Sequence, residues 1–214
     1  MQLTLKPGQD ATRPCAKLDH EVVGFSVYNL PGTKENTLVI QTETLGLLRT
    51  DKRLGSDDVI YSSGKFDFTP TNGICTAADL LPATVTLAPG APSTLPDGGT
   101  DPGKPGQDIT YKWSNVRIGA TTQVPGTQFA ADLAYTENGC TANYDGIGLY
   151  PVISCADASG APDESLCQTS ALPDGGTAPA CNLDTGECMN PDFAAKCDTV
   201  SLFCVPSKPI PSLK

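Results

Sequence analysis

The sequence predicts a mainly β protein: an antiparallel β-sandwich or jelly-roll-like body, braced by disulfides and followed by a disulfide-rich, loop-dominated C-terminal segment. Short runs of β-favouring residues alternate with turn residues along most of the chain, which is typical of sandwiches and barrels. Strong helical periodicity is absent. Six of the nine cysteines fall between residues 155 and 204, a density typical of disulfide scaffolds.

The predicted strands are short and are separated by loop chemistry such as Pro31-Gly32 and Thr71-Asn72-Gly73. In the first half they cover residues 22–28, 37–41, 59–61, 66–68 and 84–87. In the second half they cover residues 109–118, 128–135 and 144–153. Residues 75–81 and 191–197 are the stretches best suited to a turn or two of helix, and no strand pattern is recognisable beyond Cys155.

One hexapeptide, Leu-Pro-Asp-Gly-Gly-Thr, occurs at residues 95–100 and again at 172–177. Proline followed by Asp-Gly-Gly favours turns, so both copies are interpreted as linkers or surface loops. The first copy lies in a Pro/Gly-rich linker or loop at about 89–107. We therefore expect a β-rich body over residues 1–154 and a cysteine-rich tail over residues 155–214 that packs on it.

The cysteines indicate an oxidising, extracytoplasmic location: the cell surface, the outer membrane or the secreted medium. No C-x-x-C spacing is present, and His20 is the single histidine, so a zinc or redox site is disfavoured. An odd number of cysteines predicts four bridges and one cysteine left over, either as a free buried thiol or in an intermolecular bond. Spacing does not fix the pairing; Cys15–Cys75 and Cys140–Cys155 are the favoured pairs. The candidates are Cys15, Cys75, Cys140, Cys155, Cys167, Cys181, Cys188, Cys197 and Cys204.

The first eight residues have no basic start followed by an apolar run, so they do not form a signal peptide. We interpret the chain as a mature form whose signal peptide has been removed. No apolar run approaches the roughly 18 residues of a membrane-spanning helix. We expect no transmembrane segment, and a lipid anchor on a cysteine upstream of Met1 stays open.

The formal net charge of −10 comes from one block of the chain. Between Ile118 and Ala195 there is no Lys or Arg but there are ten acids, which disfavours binding to nucleic acid and anionic lipid. A basic partner is compatible with this block, as is a plain solvated surface. Ca²⁺ is the weakest reading, because no D-x-[DN]-x-[DN]-G loop is present, and we expect no cofactor. The acids chosen as partner contacts are Asp145, Asp184 and Glu187.

No catalytic motif stands out. A serine hydrolase would need His20 as its general base, but the sequence has no G-x-S-x-G turn to carry the nucleophile. A phosphate-binding loop is also disfavoured, because the Gly-rich stretches have neither a preceding strand nor a following helix and Lys. Paired carboxylates among Glu43, Asp57 and Asp58 would suit glycoside hydrolysis if the fold brought them together. Tyr111 and Trp113 share one face of a predicted strand, where core packing is favoured over ligand stacking.

Three segments carry a family resemblance: residues 111–117 (YKWSNVR), 125–133 (PGTQFAADL) and 137–142 (ENGCTA). Together with the repeated hexapeptide and the ending Asn190-Pro191-Asp192-Phe193, they resemble uncharacterised secreted lipoproteins of myxobacteria over most of the chain. The resemblance implies lipid anchoring at the outer membrane or cell surface, and it transfers no functional residue.

These observations favour a non-enzymatic, cell-surface or outer-membrane-anchored module for protein interaction or envelope structure, with an unidentified envelope protein or ligand as partner. A small-ligand or glycan-binding β-sandwich that uses Tyr111 and Trp113 is the first alternative. A secreted hydrolase or toxin with paired carboxylates is the second.

Overall fold

β-Strands make up most of the regular structure in the computed structural model, which describes residues 1–29, 31, 36–94, 96, 97, 99–120, 127–171, 177–182 and 185–214. The strands of the body are β1 (Gln2–Leu5), β2 (Val23–Asn29), β3 (Asn36–Thr42), β4 (Ser62–Thr71), β5 (Ile74–Asp79), β6 (Ala83–Leu87), β7 (Ser93–Thr94), β8 (Thr100–Asp101), β9 (Gln107–Ala120), β10 (Thr127–Glu137) and β11 (Cys140–Tyr150). Four short strands follow: β12 (Ser170–Ala171), β13 (Thr177–Ala178), β14 (Ala195–Cys197) and β15 (Cys204–Pro206). The helical pieces are α1 (Glu43–Leu47) and 3₁₀ turns at Pro14–Lys17, Leu48–Thr50 and Glu164–Cys167.

The body is one curled antiparallel sheet in the order β1-β11-β10-β9-β5-β4-β3-β2. β9 is long enough to pair with β10 on one edge and, on its other edge, with β5 at one end and β6 at the other. The curl brings β2 over β10, where the rings of Phe25 and Phe129 stack with centroids 6.2 Å apart. The predicted mainly β, antiparallel, disulfide-braced class is confirmed.

Several element predictions need correction. Residues 74–79 form β5 and residues 195–197 form β14, so neither stretch is helical. Residues 59–61 hold only an isolated bridge between Val59 and Thr84, and short strands do exist beyond Cys155. Each correction concerns a short segment that derives its conformation from a partner strand, because local propensity is too weak to decide it.

The stretch at 89–107 is a surface loop. β6 and β9 pair with each other directly on either side of it, Leu87 opposite Gln107, and inside it β7 pairs with β8. Leu95 and Gly98 of the first hexapeptide copy, and residues 172–176 of the second, lie outside the described residues. The loop therefore projects from one sheet without dividing it.

A second apolar cluster holds the tail together. It contains the side chains of Met189 and Phe193 and four disulfide-bonded cysteines, Cys155, Cys167, Cys197 and Cys204. β11 contributes Leu149 to this cluster, so the tail core begins inside the predicted body. The division into residues 1–154 and 155–214 stays a prediction.

One buried side chain of β10, Gln128, contributes to the docking of the tail on the sheet. Gln128 is 1% exposed; its Nε2 donates to the Ser212 carbonyl at 2.9 Å, and its Oε1 accepts from the Ser212 N–H at 2.6 Å. The Gln128 amide thus satisfies the Ser212 N–H and shares the Ser212 carbonyl with the Ala194 N–H, which donates to it at 2.8 Å. A buried amide that satisfies two main-chain groups fixes the position of the tail on the sheet.

Four disulfides are present and one cysteine is free. Cys15–Cys140, Cys155–Cys197, Cys167–Cys204 and Cys181–Cys188 are bonded. The favoured pairs Cys15–Cys75 and Cys140–Cys155 are wrong, and Cys75 is the unpaired thiol. The turn that carries Cys15 is held against β11, because the Tyr144 hydroxyl donates to the Cys15 carbonyl at 2.6 Å. That contact places Cys15 beside Cys140 at the start of β11.

The first prediction concerns Gln128. Gln128→Ala leaves the Ser212 N–H buried without a partner, whereas the Ser212 carbonyl still accepts the Ala194 N–H. We expect a loss of about 1–3 kcal/mol in the free energy of unfolding, measured by urea denaturation. Gln9 makes the same two-way pairing with the main chain of Asn143, but at an exposed position. Gln9→Ala is the matched control and should cost less than half as much. Equal losses for both variants would contradict a docking role for Gln128.

The second prediction concerns the thiol of Cys75. Burial, followed by the charge of Asp67, raises the pKa of this thiol, so less thiolate is present at a given pH and alkylation slows. Iodoacetamide should modify one thiol per oxidised chain, with its half-maximal rate at a higher pH than for an exposed thiol. Asp67→Asn should move that pH downward without restoring the ordinary value, because burial is the larger cause. More than one reactive thiol, or an unshifted profile, would contradict this arrangement.

Candidate functional site: a tyrosine-lined groove

Tyr111 and Trp113, the two aromatic residues predicted as ligand contacts, lie in the core. They are 1% and 0% exposed. Their rings belong to a row: Tyr135 lies 5.1 Å from Tyr111, Tyr111 lies 6.4 Å from Trp113, and Trp113 lies 6.1 Å from Phe129, measured between centroids. Such a row stabilises the curled sheet through packing. A groove that uses Trp113 as a stacking platform is therefore not formed by this fold.

A buried carboxylate, Glu21, closes one end of this core. The Tyr111 hydroxyl and the Thr44 hydroxyl each donate to Glu21 Oε2 at 2.9 Å, and the Thr44 N–H donates to Oε1 at 3.3 Å. Burial and the neighbouring Glu21 charge raise the pKa of Tyr111 well above its usual range. The network joins β9 to the first turn of α1, so Glu21 positions the wall of the site described below.

Several acids between Ile118 and Ala195, the block without Lys or Arg, form ion pairs or accept hydrogen bonds within the chain. Asp132 and Asp145 both contact Lys6 Nζ, at 3.1 and 3.4 Å, and Glu187 accepts from the Tyr150 hydroxyl at 2.5 Å. In the tail, Glu164 Oε2 accepts the Cys197 N–H at 2.7 Å. Asp184 lies outside the described residues. Asp145 and Glu187 thus have partners within the chain, and their use as contacts for another molecule stays a prediction.

Three sulfur atoms, those of Cys155, Cys167 and Cys204, lie close enough together to suggest a metal site. All three are committed to disulfides, and a metal needs free thiolates. His20 lies at the surface, with Nδ1 2.6 Å from Asp19 Oδ1. No helix in the described part of the chain has both the length and the apolar character needed to cross a membrane.

A groove lies on the outer face of β2 and β3, bounded by α1 and flanked by exposed tyrosine side chains. Its volume is about 700 Å³. We call it the tyrosine groove, and its principal lining residues are Gly24, Tyr28, Gln41, Glu43, Leu47 and Tyr61.

The shape of the tyrosine groove follows from strand alternation. Gly24 lies opposite Gln41 and Ser26 opposite Val39, so all four face the same side of the β2–β3 pair. Gly24 has no side chain, so it keeps the groove open at this position, and a Cβ there would meet no atom within 4 Å. α1 begins where the Thr42 side chain accepts the Leu45 N–H at 3.3 Å, and this cap directs Leu47 toward the groove rim.

Three apolar side chains at the groove are unusually exposed: Tyr28 at 59%, Leu47 at 72% and Tyr61 at 46%. Among the described residues that line the groove, Glu43 is the only one with a formal charge. Tyrosine enrichment with few charges is typical of the centre of a protein interface. The sequence placed Tyr28 on a strand, but it carried no signal that β2 would be the last strand of the sheet.

The third prediction tests the Glu21 network. Tyr111→Phe removes a buried donor to Glu21 and should lower the free energy of unfolding by about 1–3 kcal/mol, measured by urea denaturation. Tyr150→Phe is the matched control, because the Tyr150 hydroxyl also donates to a glutamate but is exposed. We expect less than about 1 kcal/mol for it. If Tyr111→Phe were as mild as the control, Glu21 would not depend on that hydroxyl.

Comparisons with known proteins agree with the resemblance to myxobacterial lipoproteins. A family model described as MlpA matches residues 1–151, the segment that holds the whole curled sheet. The Myxococcus xanthus protein named "Putative lipoprotein MlpA" is 30% identical over 200 residues, which span 91% of this chain and 73% of that relative. No solved structure matches the chain.

Proposed function

Because this chain belongs to the MlpA family, we propose that it is a lipid-anchored, non-enzymatic protein of the cell envelope that binds a partner protein at the tyrosine groove. The relative's description as a lipoprotein and the four disulfides both support an extracytoplasmic, envelope-associated location. Anchoring at the outer membrane or cell surface, through a lipidated cysteine upstream of Met1, is the finer part of the proposal.

The observation that carries the proposal is the cluster of exposed apolar side chains around a preformed groove. The side chains of Tyr28, Leu47 and Tyr61 are exposed to solvent, and other apolar residues fill the core. Contiguous exposed apolar surface on a secreted domain marks an interaction site more often than chance exposure. A partner with a protruding apolar side chain would bury it between the two tyrosines.

The contacts made by the carboxylates of this region favour binding over hydrolysis as the function. Asp58 accepts the N–H groups of Gly55 and Thr86 at 2.6 and 2.7 Å, so it braces a loop. Glu21 is buried and satisfied by Tyr111 and Thr44. Glu43 lies at the groove without a second acid beside it among the described lining residues, whereas glycoside hydrolysis uses two carboxylates.

The fourth prediction tests the groove with a matched pair of double variants. In Tyr28→Ser/Leu47→Ser the altered side chains are 59% and 72% exposed; in Phe68→Ser/Leu81→Ser they are 61% and 71% exposed but lie outside the groove. Both proteins should fold with four disulfides and nearly unchanged stability. Crosslinked capture of envelope proteins from the producing organism should fall at least tenfold for the first variant only.

Two outcomes would contradict the groove proposal. Equal capture by both double variants would show that the partner binds elsewhere on the protein. Equal loss by both would show that general surface hydrophobicity, and not the groove, retains the captured proteins. Thiol counting and thermal unfolding of each variant establish beforehand that the comparison is between folded proteins.

A glycan or another small ligand is the second candidate, and the polar residues between the tyrosines favour it. Ser26, Gln41 and Glu43 line the same groove and offer hydrogen-bonding groups beside two aromatic faces. A glycan array probed with the same two double variants separates this candidate from the first. Saccharide binding that is lost only with Tyr28→Ser/Leu47→Ser would favour it over a protein partner.

A further inference from the structure

The four disulfides differ in how far solvent reaches them. Three of the bridges each contain a cysteine that is almost completely buried: Cys15 is 0% exposed, Cys155 is 0% exposed and Cys167 is 1% exposed. In the fourth bridge, Cys181–Cys188, both cysteines are only half-buried. Thiol–disulfide exchange requires a thiolate to reach a sulfur atom, so exposure separates this bridge from the other three.

A concavity of the tail lies beside the same bridge. Its volume is about 750 Å³, and Cys181 is part of its wall together with Val152, Leu166 and Phe203. Cys15 also borders a concavity, of about 220 Å³, but its own side chain is 0% exposed. The tail concavity thus gives a molecule that carries a thiol a surface to contact next to the half-buried bridge.

The two half-buried cysteines face each other across a short hairpin whose main-chain hydrogen bonds do not involve the bridge. On one side of the bridge, the Met189 N–H donates to the Ala180 carbonyl at 2.7 Å. On the other side, the Asn182 N–H donates to the Glu187 carbonyl at 2.8 Å. We call this segment, residues 180–189, the tail hairpin. Its ladder remains in place when the S–S bond is broken.

Side chains also anchor the tail hairpin to the chain that follows β11. The Asn182 side-chain amide donates to the Val152 carbonyl at 2.7 Å. The Tyr150 hydroxyl donates to Glu187 Oε1 at 2.5 Å. These contacts, like the ladder, are independent of the sulfur atoms, so the hairpin can lose its bridge and keep its position.

This bridge also closes the smallest loop of the four. Its cysteines are 7 residues apart in sequence, whereas those of the other bridges are 37, 42 and 125 residues apart. In the chain-entropy model, a bridge restricts the unfolded chain more as its loop lengthens. Opening Cys181–Cys188 should therefore lower the free energy of unfolding less than opening any other bridge.

We propose that Cys181–Cys188 is a thiol–disulfide exchange site, which a dithiol reductant opens while the other three bridges stay closed. A thiolate of the dithiol attacks one sulfur of the pair and forms a mixed disulfide. The Cys181–Cys188 bond breaks, and the other cysteine leaves as a thiolate that takes up a proton. The second thiol of the dithiol, as its thiolate, then attacks the dithiol's own sulfur in the mixed disulfide.

This second step closes a disulfide within the reductant and releases the remaining cysteine as a thiol. Two electrons and two protons have then passed from the dithiol to the tail hairpin. The sequence disfavours a redox site because it lacks C-x-x-C. The hairpin brings Cys181 and Cys188 together despite their C-x6-C spacing, and this exchange does not rest on the tyrosine groove.

The experiment exposes the oxidised full chain, with the Cys75 thiol blocked by N-ethylmaleimide, to graded dithiothreitol under native conditions. Freed thiols are alkylated with iodoacetamide and located by peptide mass spectrometry. Cys181 and Cys188 should be alkylated about tenfold faster than the cysteines of any other bridge, because access limits the exchange. Cys15–Cys140 is the internal control, since Cys140 is also half-buried but its partner is not exposed.

A double variant gives the second arm of the test. Cys181→Ser/Cys188→Ser should fold with the other three bridges intact and should lose the fast phase of dithiothreitol oxidation. Opening of Cys15–Cys140 or of either buried tail bridge as fast as the hairpin bridge would overturn the inference. Failure of the double variant to form the other three bridges would overturn it as well, because the tail would then depend on Cys181–Cys188.

Discussion

The long strand β9 is the element on which the rest of the body depends, because it belongs to two branches of the sheet at once. One edge pairs with β10, and the other edge is shared between β5 and β6. A bulge at residues 115 and 116, with Asn115 at φ 49°, lets both Trp113 and Val116 face the core. The sheet therefore bends at β9, β2 comes to lie over β10, and the tyrosine groove forms on the outer face of β2 and β3.

Disulfides hold the tail together, whereas the hydrogen-bonded sheet holds the body together. Two disulfides connect Cys155 and Cys167 to Cys197 and Cys204, which face each other in the β14–β15 hairpin. The buried pairing of Gln128 with Ser212 then fixes this crosslinked unit on β10. Several acids of the block without Lys or Arg accept hydrogen bonds within this arrangement.

The sequence was sufficient for the fold class, the oxidising compartment and the number of bridges, since these follow from composition and period-two patterns. It was insufficient for the pairing of Cys15 with Cys140, which are brought together by the Tyr144 contact across 125 residues of sequence separation. The tyrosine groove was not predicted for a similar reason. Tyr111 and Tyr28 both lie on strands, yet only the order of strands in the sheet decides that the first is buried and the second exposed.

The central claim is that β2, within the described part of the chain, has a neighbouring strand on its β3 side alone, and that the tyrosine groove is built on this last strand of the sheet. Residue-resolved amide exchange of the free protein tests it most directly. The account predicts slow exchange at Gly24, Ser26 and Tyr28, whose N–H groups face β3, and fast exchange at Val23, Phe25 and Val27, whose N–H groups point away from β3. Uniform protection of all six amides would contradict the claim, because it would show that β2 already has neighbours on both sides.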